Sequence, residues 1–201
     1  MRLRHVAIAI SLLALLFTGC FMSHMTTARP VGAGNVSLTG GLGVYNDEMA
    51  ATPNIFLESR LDIGLTDRLD LGFRTGFVTA NYWYPRHTGL GASIKYAFVD
   101  DPDSVTIAVG ADLRLSLLYF EKSFFGASLY IDSNIPFLPV YFSLHPVNYQ
   151  SWFGEDNFIL CFAGGLHFDL SDTIRLLVGA TAAELWGLEW WNFGTGVQFL
   201  L

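Results

Sequence analysis

From Asn35 to Leu201 apolar and other residues alternate at period two, and almost every charge falls on the parity opposite the bulky apolar side chains. Ile55, Leu57, Leu61, Ile63 and Leu65 share one parity, while Glu58, Arg60 and Asp62 take the other. The pattern resumes after Thr66-Asp67-Arg68, with Leu69, Leu71, Phe73 and Phe77 against Asp70, Gly72, Arg74 and Gly76. Ile94, Tyr96 and Phe98 oppose Ser93 and Lys95; Val109, Ala111 and Leu113 oppose Gly110, Asp112 and Arg114. Successive strand residues point to opposite faces, so this chain specifies strands with one greasy face and one of small and charged residues.

Alternation alone does not say which face meets water, because a soluble sandwich has the same period. Composition narrows the choice. Hydrophobic residues make up 52% of the chain and charged residues 14%, against about 25% charged in soluble domains, and mean hydropathy is +0.40. Yet after residue 19 no apolar run approaches the length of a spanning helix. An unusually greasy soluble core and a transmembrane β-barrel are what remain.

Three features favour lipid outside. The second face mixes Gly, Ala and Ser with charges of both signs, which suits a narrow lumen lined by ion pairs. Its acids are Glu58, Asp62, Asp70, Asp112, Asp132 and Asp169, and its bases Arg60, Arg74, Lys95, Arg114 and Arg175. Segments such as Asp70–Tyr82 and Val105–Tyr119 exceed ordinary strands and match the length that spans a bilayer at a tilt. Short connections (Thr66–Arg68, Asp100–Ser104, Ser171–Thr173) alternate with mostly longer ones (Asn46–Pro53, Trp83–Thr88, Pro146–Asp156, Trp186–Glu189). All five tryptophans, Trp83, Trp152, Trp186, Trp190 and Trp191, fall on the longer-loop side with Tyr84 and Tyr119, where an interfacial girdle would sit.

The expected fold is a closed antiparallel up-and-down transmembrane β-barrel. Ten strands are expected, near 35–45, 54–65, 69–82, 89–99, 105–119, 124–134, 138–145, 157–170, 174–185 and 190–200. Pro136, Pro139 and Pro146 make 135–145 a poor central strand; if 123–156 is one long excursion, the barrel has eight. The hairpins Leu61–Arg68 and Phe168–Thr173 resemble the periplasmic turns of small outer-membrane β-barrel proteins of Gram-negative bacteria. Such proteins commonly end on an aromatic; here Phe199 is followed by Leu200 and Leu201. The resemblance implies residence in the outer membrane as a monomer, inserted by the barrel-assembly machinery.

At the other end, Arg2, Arg4 and His5 precede an apolar run, Val6–Phe17, that closes on Leu16-Phe17-Thr18-Gly19-Cys20. This is the layout of a secretory signal, and its small-small-Cys ending resembles the bacterial lipobox. That resemblance implies lipoprotein processing at Cys20, palmitate-type acylation and a mature chain starting there, with 1–19 the signal, 20–34 a lipidated linker and 35–201 the barrel. Taking Arg2 and Arg4 from the 11 basic residues leaves 9 against 18 acidic, a balance that argues against nucleic acid.

Chemistry is harder to find. His24, His87, His145 and His167 lie on separate segments without metal-ligand spacing, so no metal and no cofactor are expected. His145 with Ser143, or His87 with Glu155 and Asp156, are the pairings that a hydrolase would use, and His167 with Asp169 reads as a lumen hydrogen-bonding pair. The balance of charges points instead to a mostly plugged, salt-bridged lumen and a structural or surface-interaction role without catalysis. A narrow channel, a lipid-modifying hydrolase and a tethered soluble lipid-binding barrel are the alternatives.

Overall fold

A computed structural model describes residues 25–47, 54–79, 89–101, 103–116, 122–135, 138–151, 156–185 and 188–201. Ten strands follow one another: β1 (Val36–Asp47), β2 (Asn54–Gly64), β3 (Leu69–Thr79), β4 (Gly89–Asp100), β5 (Val105–Ser116), β6 (Lys122–Ser133), β7 (Val140–Ser151), β8 (Asp156–Ser171), β9 (Ile174–Leu185) and β10 (Leu188–Leu200). Each pairs antiparallel with its neighbours in sequence, and β10 closes on β1 from Ser37↔Leu200 to Asp47↔Trp190. The closed ten-stranded up-and-down barrel is therefore the fold, and the eight-strand alternative is excluded. Closure leaves no row of unpaired backbone groups at an edge.

The stretch with prolines does form a strand, displaced from its expected bounds of 138–145. Pro139 lies just before β7, where no ladder donor is required. Pro146 sits at an interruption of the β6–β7 register, which runs Gly126↔Val147 and then resumes at Leu129↔Leu144. A residue without an N–H is accommodated where the ladder already lapses.

One end of the barrel is built from tight turns. At 65–68 the Thr66 hydroxyl accepts the N–H groups of Arg68 and Leu69 at 3.2 and 3.0 Å, and the Leu69 carbonyl accepts those of Leu65 and Thr66. At 101–104 the Asp101 carboxylate accepts from the Asp103 N–H and the Ser104 hydroxyl at 3.0 and 2.9 Å. The connections at the far end fall at 48–53, 80–88, 117–121, 152–155 and 186–187, outside the described residues. The loops read at Asn46–Pro53, Pro146–Asp156 and Trp186–Glu189 are shorter than expected because Asn46, Pro146 through Ser151, Asp156 and Glu189 all belong to strands. The contrast in connection length between the two ends is correspondingly weaker.

The ring is polar inside and apolar outside. Leu57, Phe73, Ile94, Leu113, Phe125 and Phe193 point away from the axis and are between 38% and 62% exposed. Arg60, Asp62, Asp70, Arg74, Lys95, Asp112 and Asp132 point inward and are buried. Glycines permit this crowding: a Cβ on Gly72 would meet Ser93 Oγ, Asp62 Oδ1 and the Arg60 guanidinium.

Part of the stretch read as a linker lies within the ring. Met25, Thr26, Thr27 and Ala28 are at most 4% exposed. The chain reverses between this segment and β1 through Gly32 (φ +87°) and Gly34 (φ +76°), left-handed conformations that cost other residues about 1–2 kcal/mol. A Cβ on Gly64 of β2 would collide with the Gly32 carbonyl, so a bare backbone is needed where the reversal crosses the wall.

Candidate functional site

The lumen is the candidate site, and its geometry follows from strand parity. Residues at alternate positions on β2 to β6 project into one narrow space, and six of the charges among them meet in three pairs. Arg60 Nε lies 2.8 and 2.7 Å from the two oxygens of Asp62, two residues away on the same face of β2. Arg74 on β3 reaches Asp112 on β5 at 2.6 Å, across β4, where Arg74 pairs with Gly91 and Asp112 with Ser93. Lys95 on β4 meets Asp70 on β3 at 3.2 Å. At the tight-turn mouth Arg175 Nε donates to Asp169 at 2.5 Å and Nη1 to Gln198 at 3.4 Å, and Gln198 continues to Ser37 at 2.8 Å. Burying an ion costs several kcal/mol unless it is paired, and these pairings are what let the charges stay inside.

The buried N-terminal segment is held largely through its backbone. Lys95 Nζ donates to the carbonyls of Thr27 and Arg29 at 2.9 and 2.8 Å. The Asp70 carboxylate accepts the Val31 N–H at 3.1 and 3.2 Å, and Asp132 accepts the Arg29 N–H at 3.4 Å. Side chains add a few specific contacts. Thr26 Oγ1 accepts from Arg60 Nη1 at 2.9 Å. Arg29 donates to Asn134 Oδ1 at 2.7 Å, to Asp169 at 3.1 Å and to the Ser133 carbonyl at 3.4 Å. Met25 joins Phe56, Tyr141 and Leu177 in an apolar cluster, and Ala28 joins Ala97, Ala108 and Tyr130 in another.

A second chain of polar groups runs along the β5–β7 wall. Asp112 Oδ2 accepts from the Ser128 hydroxyl at 2.8 Å, Ser128 Oγ is 2.7 Å from His145 Nδ1, and His145 Nε2 is 2.8 Å from Ser143 Oγ. Ser128 gives its one proton to Asp112, which leaves His145 Nδ1 to donate to it. Tyr130 packs edge-on against the imidazole with ring centroids 5.4 Å apart. The Ser143–His145 pairing is thus formed. Both side chains are 1% exposed, however, which leaves no face of the hydroxyl open to a substrate.

The remaining sequence-derived residues divide plainly. Glu58 faces the lumen with its carboxylate oxygens buried. Asp132 accepts the backbone N–H of Arg29, a residue that alternation did not single out. Arg114 lies opposite Gly91 and Phe124 in register. His167 and Asp169 do not form a pair: His167 Nε2 contacts the Ser133 carbonyl at 3.1 Å, and Asp169 is taken by Arg29 and Arg175. Trp191 lies on the outer face of β10, and Trp190 is in the same strand. Cys20, Trp83, Tyr84, Tyr119 and Trp186 lie outside the described residues. Among the described residues no group of three or more His, Cys, Asp or Glu is placed to hold a metal ion.

Sequence reasoning missed Phe56, Tyr130, Tyr141 and Leu177, all buried inside the ring. They share parity with charged or small neighbours such as Glu58, Asp132, Ser143 and Arg175, and that shared parity was the available signal.

No protein-family model matches the chain, and no curated protein matches it. Among solved structures it is similar to the NanC porin, at 10% identity over 82% of this chain and 98% of that one, with a TM-score of 0.50. It is also similar to the N-terminal β-barrel domain of Pseudomonas aeruginosa OprF (13% identity, 85% and 99% covered, TM-score 0.39) and to Neisserial surface protein A (13%, 82% and 95%, 0.38). At these identities the likeness concerns the fold alone.

Proposed function

We propose that this chain is a monomeric outer-membrane β-barrel, acylated at Cys20, with a lumen closed by paired charges and by its own N-terminal segment. Its role is structural or one of contact at the envelope surface, not catalysis or diffusive transport. The observation that carries this reading is the inverted distribution of polarity. A ring of half-exposed Leu, Ile and Phe surrounds buried Arg, Lys and Asp, and in water each such apolar side chain forgoes on the order of 1 kcal/mol. Hydrocarbon removes that cost, and the closed hydrogen-bond ladder meets the condition for crossing it. Similar solved structures include proteins named as outer-membrane or surface proteins and a porin, which agrees with that address. The tight-turn end faces the periplasm in this reading, and the barrel-assembly machinery inserts the chain. Acylation at Cys20 tethers it near that machinery; a Cys20→Ala protein that assembles at the normal rate and level would remove this part.

The test is a planar-bilayer recording together with carbonate extraction. The purified protein is expected to resist carbonate, to migrate faster on gels when unheated, and to give a quiet baseline. Steady large openings would replace the closed lumen by a channel. Release into carbonate would replace the integral barrel by a tethered soluble one.

A further inference from the structure

We propose that the lumen is a binding site for a peptide backbone, and that Met25–Val31 is its ligand, docked in cis and separable from the barrel. The inference rests on the closed-lumen reading above and extends it. Four observations carry it.

The wall is complete without the segment. Every ladder from β1–β2 round to β10–β1 is formed between residues 36 and 200, and among the described residues main-chain hydrogen bonds from the N-terminal stretch to the wall begin only at Gly34. The segment is instead gripped as a bound peptide would be, its carbonyls by one ammonium and its N–H groups by two carboxylates, from β3, β4 and β6. Main-chain recognition of this kind gives affinity, while a few side-chain pockets give specificity. Here the pockets are visible. Met25 occupies space left by Gly41 and Gly196, where a Cβ would strike its thioether. Ala28 fits where Ala97 and Ala108 leave room beside Tyr130, and Arg29 enters an oxygen-rich mouth of Asn134, Ser133 and Asp169. Finally, two left-handed glycines, Gly32 and Gly34, join the ligand to the wall.

The site therefore takes a stretch that bends at its fourth and fifth residues and reads large apolar, two small polar, small apolar, arginine. Its occupant is this chain's own Met-Thr-Thr-Ala-Arg-Pro-Val.

The full-length protein tests this with Ala28→Asp, which forces a larger, charged side chain into the fully buried pocket of Ala97, Ala108 and Tyr130 and expels the segment while leaving the wall intact. Arg29→Glu, opposed by Asp132 and Asp169, serves as an independent second variant. A fluorescent synthetic peptide of the seven residues is then titrated against each protein and followed by polarisation. The expected result is saturable binding to the Ala28→Asp barrel at least tenfold tighter than to wild type, and at least tenfold weaker again when Lys95→Ala is added. Equal binding to wild type and variant, or none to a variant that still shows heat-dependent gel migration, overturns the proposal. Loss of that migration in both variants also overturns it, because the segment would then be part of the fold and not a ligand. A quiet wild-type bilayer with failed peptide binding refutes only this inference, whereas a conducting wild type refutes the closed lumen itself.

Discussion

Asp112 and Leu113 are adjacent in sequence and opposite in surroundings. Asp112 is buried between Arg74 and Ser128, and Leu113 is 46% exposed on the outer face. Two substitutions one residue apart should therefore fail for different reasons. Asp112→Ala leaves the Arg74 guanidinium buried without its carboxylate, a change that costs about 3–5 kcal/mol, and Arg74→Met added to it should recover much of that loss. Leu113→Arg puts a cation into hydrocarbon at a cost of about 2–4 kcal/mol near the midplane, and no lumen substitution should rescue it. Urea unfolding of the protein in vesicles checks both. Ser143 offers a further test at this scale. Its hydroxyl lies 2.8 Å from His145 but is sealed, so a fluorophosphonate probe should leave the folded protein unlabelled and unmodified at Ser143. Rapid labelling there would make the pair a nucleophile and base.

Among the elements, the turn at 101–104 carries a defined pH response. The Asp103 N–H, and after it the Ser104 hydroxyl, hold the Asp101 carboxyl below its ordinary value, which is about 3.9. The turn's contribution is thus present above that ordinary value and lost as pH falls through the lowered one. Carboxyl NMR of Asp101 should give a midpoint below that of a solvated aspartate, and Ser104→Ala should raise it. How far the elements were legible depended on whether their signal was local. β3 announces itself, because Leu69, Leu71 and Phe73 against Asp70 and Arg74 need only period two. β7 was misplaced because Pro136, Pro139 and Pro146 argue against a strand, and only the lapse in β6–β7 pairing makes Pro146 tolerable. Phe56 and Leu177 were missed because parity marks an inward position without saying whether a charge or a ring will fill it.

For the whole molecule, which residues face inward could be read but what they enclose could not. The glycines and alanines of the inner parity signalled a narrow space. Nothing in Met25–Val31, a short unpatterned stretch, signals that it occupies that space, because its hydrogen-bond partners on the barrel wall lie from 34 to 140 residues away. That distance in sequence is why the charge pairs within the wall were easier to anticipate than Arg29's clasp on Asn134 and Asp169. The position of Met25 also bears on the anchor that the lipobox resemblance implies. Met25 packs at Gly41, near half the height of β1, about 15 Å from either rim if strands rise about 3.4 Å per residue at a tilt of about 40°. Five peptide links join it to Cys20, a reach of about 17 Å when taut. A fatty tail placed on Cys20 would therefore be on a short leash while Met25 stays seated, and letting go of that seat would add the slack of Thr26 to Asn35. How far such a tail could stray from the barrel that carries it would be set by what occupies the bore.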